Sequence, residues 1–202
     1  LRIDWQPLAS TSVETGANVD IKDLSRSLGM MEQPEGKPFI VFLSSNENIN
    51  EQTVVEQTTL KDERVSLGSK FFTMLEAEGE TITKTHPYYK WIGGRKLPRV
   101  IVFTNEGDRV GKLEGQPSPS KLYAIMKKAA AKSRIKNLDR KIKDYQKILT
   151  SLDKISTLKQ ALASKESRDD SRSAVKEIAK KRKAIEQDEL ELREAEEKIL
   201  SI

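Results

Sequence analysis

The sequence predicts an α/β domain followed by an antiparallel α-helical hairpin of the coiled-coil kind. Three observations lead to that reading. Phe39, Ile40, Val41, Phe42 and Leu43 form one continuous apolar run, and Val100, Ile101, Val102 and Phe103 form another. Short runs of this kind suit central strands buried on both faces. Beyond Pro119 the chain has no further Pro or Gly, and Ile135, Leu138, Ile142, Tyr145, Leu149 and Leu152 recur at alternating steps of three and four. That alternation is the apolar seam of a coiled coil.

Composition agrees with two unlike parts. Of 202 residues, 36% are hydrophobic and 33% charged, a charge-rich balance for a single packed globule but a natural one for a domain carrying a solvated helical appendage. The charge is uneven: residues 1–120 carry a net −3 and residues 121–202 a net +8. Such asymmetry suits either an anionic partner or solvated helix faces. The chain contains no cysteine, which excludes disulfides, thiolate catalysis and cysteine-based metal sites. No apolar run approaches the roughly 18 residues of a membrane span. The chain begins at Leu1 rather than Met, which predicts an N-terminal segment removed or omitted, so the lack of a visible signal does not argue for the cytoplasm.

The elements follow in order. Residues 1–5 read as a short edge strand. Asp20 reads as the N-cap of a short helix that places Ile21, Leu24 and Leu28 on one face and stops at Gly29. A turn follows at residues 33–36. Residues 38–43 are the first buried strand. Residues 47–78 have helical character, with Gly68 as a break or a switch from helix to strand. Residues 83–96 form a loop holding His86, Tyr88, Tyr89 and Trp91. Residues 97–103 are the second buried strand, Gly107 sits in a hairpin turn, and residues 109–115 alternate as its partner. Ser118 and Ser120 are candidate N-caps, with Pro119 suited to a first helical turn.

This order, and several residues within it, resembles the thioredoxin-like superfamily, in particular bacterial members. Residues 38–43 are similar to the strand that leads into the redox motif, and residues 56–65 to the helix and turn after it. Leu97, Pro98, Arg99 and Val100 fall where the family places its cis-proline loop. Residues 102–115 resemble the last hairpin and residues 119–128 the last helix. The resemblance covers about residues 36–131, which divides the chain into a lead-in (1–35), a thioredoxin-like domain (36–131) and a helical hairpin (132–202). It also implies where the family's two cysteines would fall: near Glu47 and Asn50. A carboxylate and an amide cannot perform thiol–disulfide exchange, so the expectation is a redox-inactive scaffold.

Other chemistry is thinly supported. Glu47 near a helix start suits a capping carboxylate. His86 is the only histidine; no nucleophile motif accompanies it, and one histidine does not make a metal site, so neither metal nor cofactor is expected. Tyr88, Tyr89 and Trp91 precede Leu97 and Pro98. In the family that loop borders a groove for extended peptides, so the rings either line such a groove or simply cover the sheet.

In the tail, Leu158 and Leu162 continue the apolar face, and a reversal is expected between residues 164 and 173. Ile178, Ile185, Leu192 and Ile199 then recur every seven residues. Residues 121–165 carry 13 Lys/Arg against three Asp/Glu, whereas residues 186–197 carry seven Asp/Glu against one Arg. A turn near Arg168 would lay the acidic stretch beside residues 136–147. Helix from Ser120 to about Lys165 would span roughly 65–70 Å. The dense run Lys180, Lys181, Arg182 and Lys183 suits a solvated face.

The functional expectation is a non-enzymatic protein-interaction or structural module, with the hairpin as spacer, docking surface or dimerisation arm. The alternatives are a non-thiol enzyme or chaperone-like peptide binder using the former redox groove, and a basic helical binder of nucleic acid or anionic polymer. The resemblance implies an extracytoplasmic, periplasmic setting, with the cytoplasm as the alternative.

Overall fold

The computed structural model describes residues 2–8, 37–166 and 172–201. Among them are two compact units that divide between Leu138 and Asp139. The helix anticipated after Asp20, the turn at residues 33–36 and the turn at Arg168 lie outside the described residues.

The first unit is a five-stranded mixed sheet in the order β1-β3-β2-β4-β5. Its strands are β1 (Gln6–Pro7), β2 (Phe39–Ser44), β3 (Thr73–Glu78), β4 (Arg99–Phe103) and β5 (Arg109–Glu114). β1 and β2 run parallel to β3, and β4 runs antiparallel to both β2 and β5. This is the strand order of the thioredoxin fold. The edge strand falls at Gln6–Pro7, later than the stretch at residues 1–5 that sequence suggests, because Gln6 pairs with Leu75 and Pro7 with Glu76. A proline is tolerated there because β1 has a neighbour on one side only.

Alternation within β2 supplies both layers of the core. Phe39, Val41 and Leu43 join Leu75, Ile101 and Phe103 on one face, with the Phe39 and Phe103 rings stacked at 4.8 Å. Ile82, Tyr88 and Ile92 close over that face. Ile40, Phe42, Val100 and Val102 point the other way and are equally buried. On that side lie α1 (Ile49–Val54), its π-helical continuation (Val55–Thr59), α2 (Glu63–Gly68) and α4 (Pro119–Lys132). Asp62 caps α2 by accepting from the amides of Arg64 and Val65, and Ser118 caps α4 by accepting from Lys121. A short α3 (Tyr89–Ile92) closes the list for this unit. The β4–β5 turn is as expected: Gly107 adopts φ 86° and its N–H donates to Thr104.

The long continuous helix expected from Ser120 does not form. α4 stops at Lys132, and α5 (Leu138–Glu166) starts afresh. The stop is a Schellman motif: Ile135 N–H donates to Ala130 O (2.9 Å), Arg134 N–H donates to Ala131 O (3.3 Å), and Arg134 sits at φ 65°. Ile135 is buried, which supplies the apolar contact that usually accompanies this motif. Glycine normally holds the left-handed position, so with arginine there nothing in the local sequence announces the break.

The second unit is α5 and α6 (Arg172–Leu200), which run antiparallel as a helical hairpin. Ion pairs Lys159–Glu189 and Glu166–Arg182, and Lys141 Nζ donating to Ile199 O, fix the direction. Each helix is about 44 Å long at ~1.5 Å per residue. Register differs from the charge-based expectation: Glu189 meets Lys159, about a dozen residues along from the basic stretch at 136–147. The apolar stripe of α5 also drifts. Tyr145, Ile148, Ile155 and Leu162 are buried, Leu149 and Leu152 are half-buried, and Leu158 is exposed. Shape matching of these apolar layers outweighs surface pairs worth a few tenths of a kcal/mol each. Among the described residues no helix is long and apolar enough to cross a membrane.

Replacing Arg134 with glycine removes a left-handed conformation from a side-chain-bearing residue. We expect Arg134→Gly to stabilise the protein by about 0.5–1 kcal/mol in urea unfolding, whereas glycine at an ordinary helical site such as Lys128 should cost about as much.

Candidate functional site

One end of the sheet gathers four chain segments. β2 ends at Ser44, which pairs with Glu78 at the end of β3. Leu43 pairs with Arg99 at the start of β4, and Arg99 pairs with Glu114 at the end of β5. The residues just beyond these pairs therefore meet: the bend after Ser45, Gly79 and Glu80, Leu97 and Pro98, and Gly115. The Leu97–Pro98 peptide bond is cis. Gly115, at φ 68°, donates its N–H to Pro98 O (2.9 Å).

Leu97 lies directly over Gly79. A β-carbon on Gly79 would be 2.3 Å from Leu97 Cδ2 and 2.8 Å from Ser44 O, so only glycine lets the two segments approach this closely. Glu51 of α1 and Lys96 converge on Gly115: a β-carbon there would lie 3.2 Å from Glu51 Oε2 and 3.4 Å from Lys96 Cε.

Glu47 and Asn50 are both exposed, Glu47 in the bend before α1 and Asn50 in its first turn. The carboxylate that organises this bend comes from elsewhere. Glu80 Oε1 accepts from the Ser45 hydroxyl (2.9 Å) and from the amide of Asn46 (2.9 Å), with the Glu47 amide at 3.5 Å. Ser45 Oγ in turn accepts from the Asn48 amide, and the Ser45 amide donates to Gln52 Oε1. Burial acts to raise the Glu80 pKa, but hydrogen bonds from its own backbone N–H, from Ser45 and from the amides of Asn46 and Glu47 outweigh it, so the carboxyl is held below the usual carboxylate range. The Ser45 hydroxyl is thus engaged between Glu80 and the Asn48 amide.

The other wall is held by Arg99. Its side chain is 1% exposed, at the head of a strand whose remaining residues are apolar. Nη1 donates to Ile92 O (2.8 Å), Nη2 donates to Lys96 O (2.8 Å) and Nε donates to Glu114 Oε1 (3.2 Å). Lys112 also reaches Glu114 Oε1 at 2.9 Å. The Lys112 hydrogen bond, together with the charges of Lys112 and Arg99, overcomes partial burial and keeps the Glu114 carboxyl below its usual range. The guanidinium thereby ties down residues 92–96, the segment that delivers Leu97 and Pro98.

The three aromatic residues divide. Tyr88 is 1% exposed and belongs to the core. Tyr89, Trp91 and Leu97 are partly buried and pack against it. Lys90 Nζ lies 3.8 Å from the Trp91 ring centroid, a cation–π contact. His86 Nδ1 accepts from the Tyr88 amide (3.3 Å), and burial lowers its pKa, so the ring is neutral at pH 7. Among the described residues no cluster of three or more His, Asp or Glu side chains could hold a metal ion. Sequence reasoning missed Glu80 and Arg99. Arg99 had a signal: a charge within a run that is otherwise apolar must find partners. Glu80 had none.

No protein-family model and no curated protein sequence matches this chain. Among solved structures it is similar to a thioredoxin from Thermus thermophilus, at 18% identity over 48% of this chain and 77% of that one, with a TM-score of 0.40. The fold assignment rests on strand order and register.

Removing the guanidinium leaves the buried Ile92 carbonyl and the part-buried Lys96 carbonyl without these donors. Arg99→Met should therefore cost about 3 kcal/mol in chemical denaturation, and Glu114→Gln distinctly less, since Glu114 is 30% exposed. Glu80 and Glu114 both have folded-state pKa values below their unfolded ones, so their stabilisation is complete above the ordinary carboxylate range and is lost as pH falls through the folded values. Denaturation midpoints should decline below about pH 4, and Glu80→Gln should flatten that decline while lowering stability at pH 7.

Proposed function

We propose that this chain is a redox-inactive, thioredoxin-like binding module: it holds an extended polypeptide segment at the end of the sheet beside Leu97 and Pro98, and its helical hairpin serves as an interaction arm. The observation that carries this reading is the bend after β2. Where the resembling family keeps its thiols this chain has no sulfur, and the bend is instead locked by Glu80, with its one hydroxyl engaged in structure. Such a site has rigid shape, and its hydroxyl and the carboxylate that accepts from it both hold the bend. Shape is nevertheless what strand-like peptide recognition uses, through backbone hydrogen bonds and a few side-chain contacts. Tyr89, Trp91 and Leu97 offer partly exposed apolar surface next to it, and Lys90 adds a positive charge. Binding here is a matter of fit alone, and turnover is not expected.

A reduced, carboxymethylated unfolded protein is a suitable probe. Titrating it should shift backbone NMR signals of residues 45–48, 79–80, 97–98 and 115. Leu97→Asp, which places a charge on the apolar edge, should weaken that binding at least about tenfold, or ~1.4 kcal/mol. Absence of binding, or shifts confined to other parts of the chain, would overturn the reading.

A further inference from the structure

The apolar seam of the hairpin is thin. On α6 the positions facing α5 step by four and three through Ile178, Arg182, Ile185, Glu189, Leu192, Glu196 and Ile199. Arg182 and Glu189 meet Glu166 and Lys159 with all four side chains still exposed to solvent, so these pairs flank the apolar seam and add little to its burial. A two-stranded antiparallel pair with such a seam buries little. Ile185, Leu192 and Ile199 stay half-exposed, while Leu158 and Leu190 are 52% and 54% exposed.

Helical geometry assigns sides to what is left over. With Lys159 and Glu189 facing each other, 100° per residue puts Leu158 on the same side of the hairpin as Leu192, Ala195 and Ile199, and puts Leu190 on the opposite side. The first side thus carries an apolar strip contributed by both helices. Around Leu158 its two margins differ in sign, Lys181 one heptad before Asp188 being paired with Glu177. The α5 margin presents Lys154 and Lys165; the α6 margin presents Asp188 and Glu191, all exposed.

From this arrangement we propose that two copies of the chain pair through the Leu158 side of the hairpin to form an antiparallel four-helix bundle. The proposal rests on the reading of the hairpin as an interaction arm and names its partner. A twofold axis parallel to the helices lays α5 of one copy antiparallel to α6 of the other, with the Lys154/Lys165 margin over the Asp188/Glu191 margin at matching levels. A twofold axis across the helices would instead oppose lysines to lysines. Charge therefore selects the first arrangement, and the apolar strip supplies the affinity. The interface is self-complementary, as a twofold pair requires.

The test is sedimentation equilibrium of the full chain from about 1 to 100 µM, with circular dichroism confirming retained helix. The expected result is a dimer of twice 22.9 kDa. Leu158→Glu, at an exposed position outside the seam, should raise its dissociation constant at least about tenfold, while Leu190→Glu should leave it within about twofold. Lys154→Glu should weaken pairing, and adding Asp188→Lys should recover part of the loss. A chain that stays monomeric throughout, or a dimer broken by Leu190→Glu but not by Leu158→Glu, overturns the proposal. Either outcome leaves peptide binding at Leu97 untouched, because that assay reads the sheet end and not the hairpin.

Discussion

A buried guanidinium holds one end of the sheet together. Arg99 stands at the first residue of a central strand, shut away from water, and spends its donors on two backbone carbonyls and one carboxylate. Burying a charge is costly unless it is paired and hydrogen-bonded, and here both conditions are met. The consequence reaches beyond stability. The carbonyls belong to the segment that approaches Pro98, so that segment is anchored to the sheet rather than left as a free loop. Gly94 makes room for it: at φ 154°, a β-carbon there would lie 2.4 Å from Arg99 Nη2.

The opposite wall is held by a second carboxylate network. Glu80 arrives from the turn after β3 and gathers the bend after β2. Two polar clusters, one cationic at its centre and one anionic, thus brace the two sides of one sheet end. Parallel pairing of β2 with β3, and antiparallel pairing of β2 with β4, bring the clusters within reach of one another. In a chain without cysteine, this bracing fixes the shape of that end of the sheet.

The hairpin obeys a different balance. Charge counts favoured laying the acidic part of α6 against the basic start of α5, yet Glu189 meets Lys159 instead. Isolated surface pairs are too weak to set register against the fit of Ile148, Ile155 and Leu162 into the facing helix. The half-exposed Ile185, Leu192 and Ile199 keep the hairpin from being a strong coiled coil by itself.

Much of the α/β unit was legible in the chain. Unbroken apolar runs at residues 39–43 and 100–103 carry the pattern of central strands, Gly107 marks a turn by its tolerance of positive φ, and Pro119 with Ser118 marks a helix start. The absence of cysteine, and the heptad steps of residues 178–199, are likewise properties of sequence alone. Tertiary structure decided the rest. Arg134 ends a helix through hydrogen bonds and the burial of Ile135, not through any intrinsic preference. Tyr88 entered the core while Tyr89 and Trp91 stayed at its edge, a distinction set by which side of a short turn faces the sheet. Glu80 found its role because a parallel strand pair carried it to a bend 33 to 35 residues away along the chain. Local pattern determines what an element is; the close approach of distant segments, set by packing and by the need to satisfy buried polar groups, decides what each side chain does.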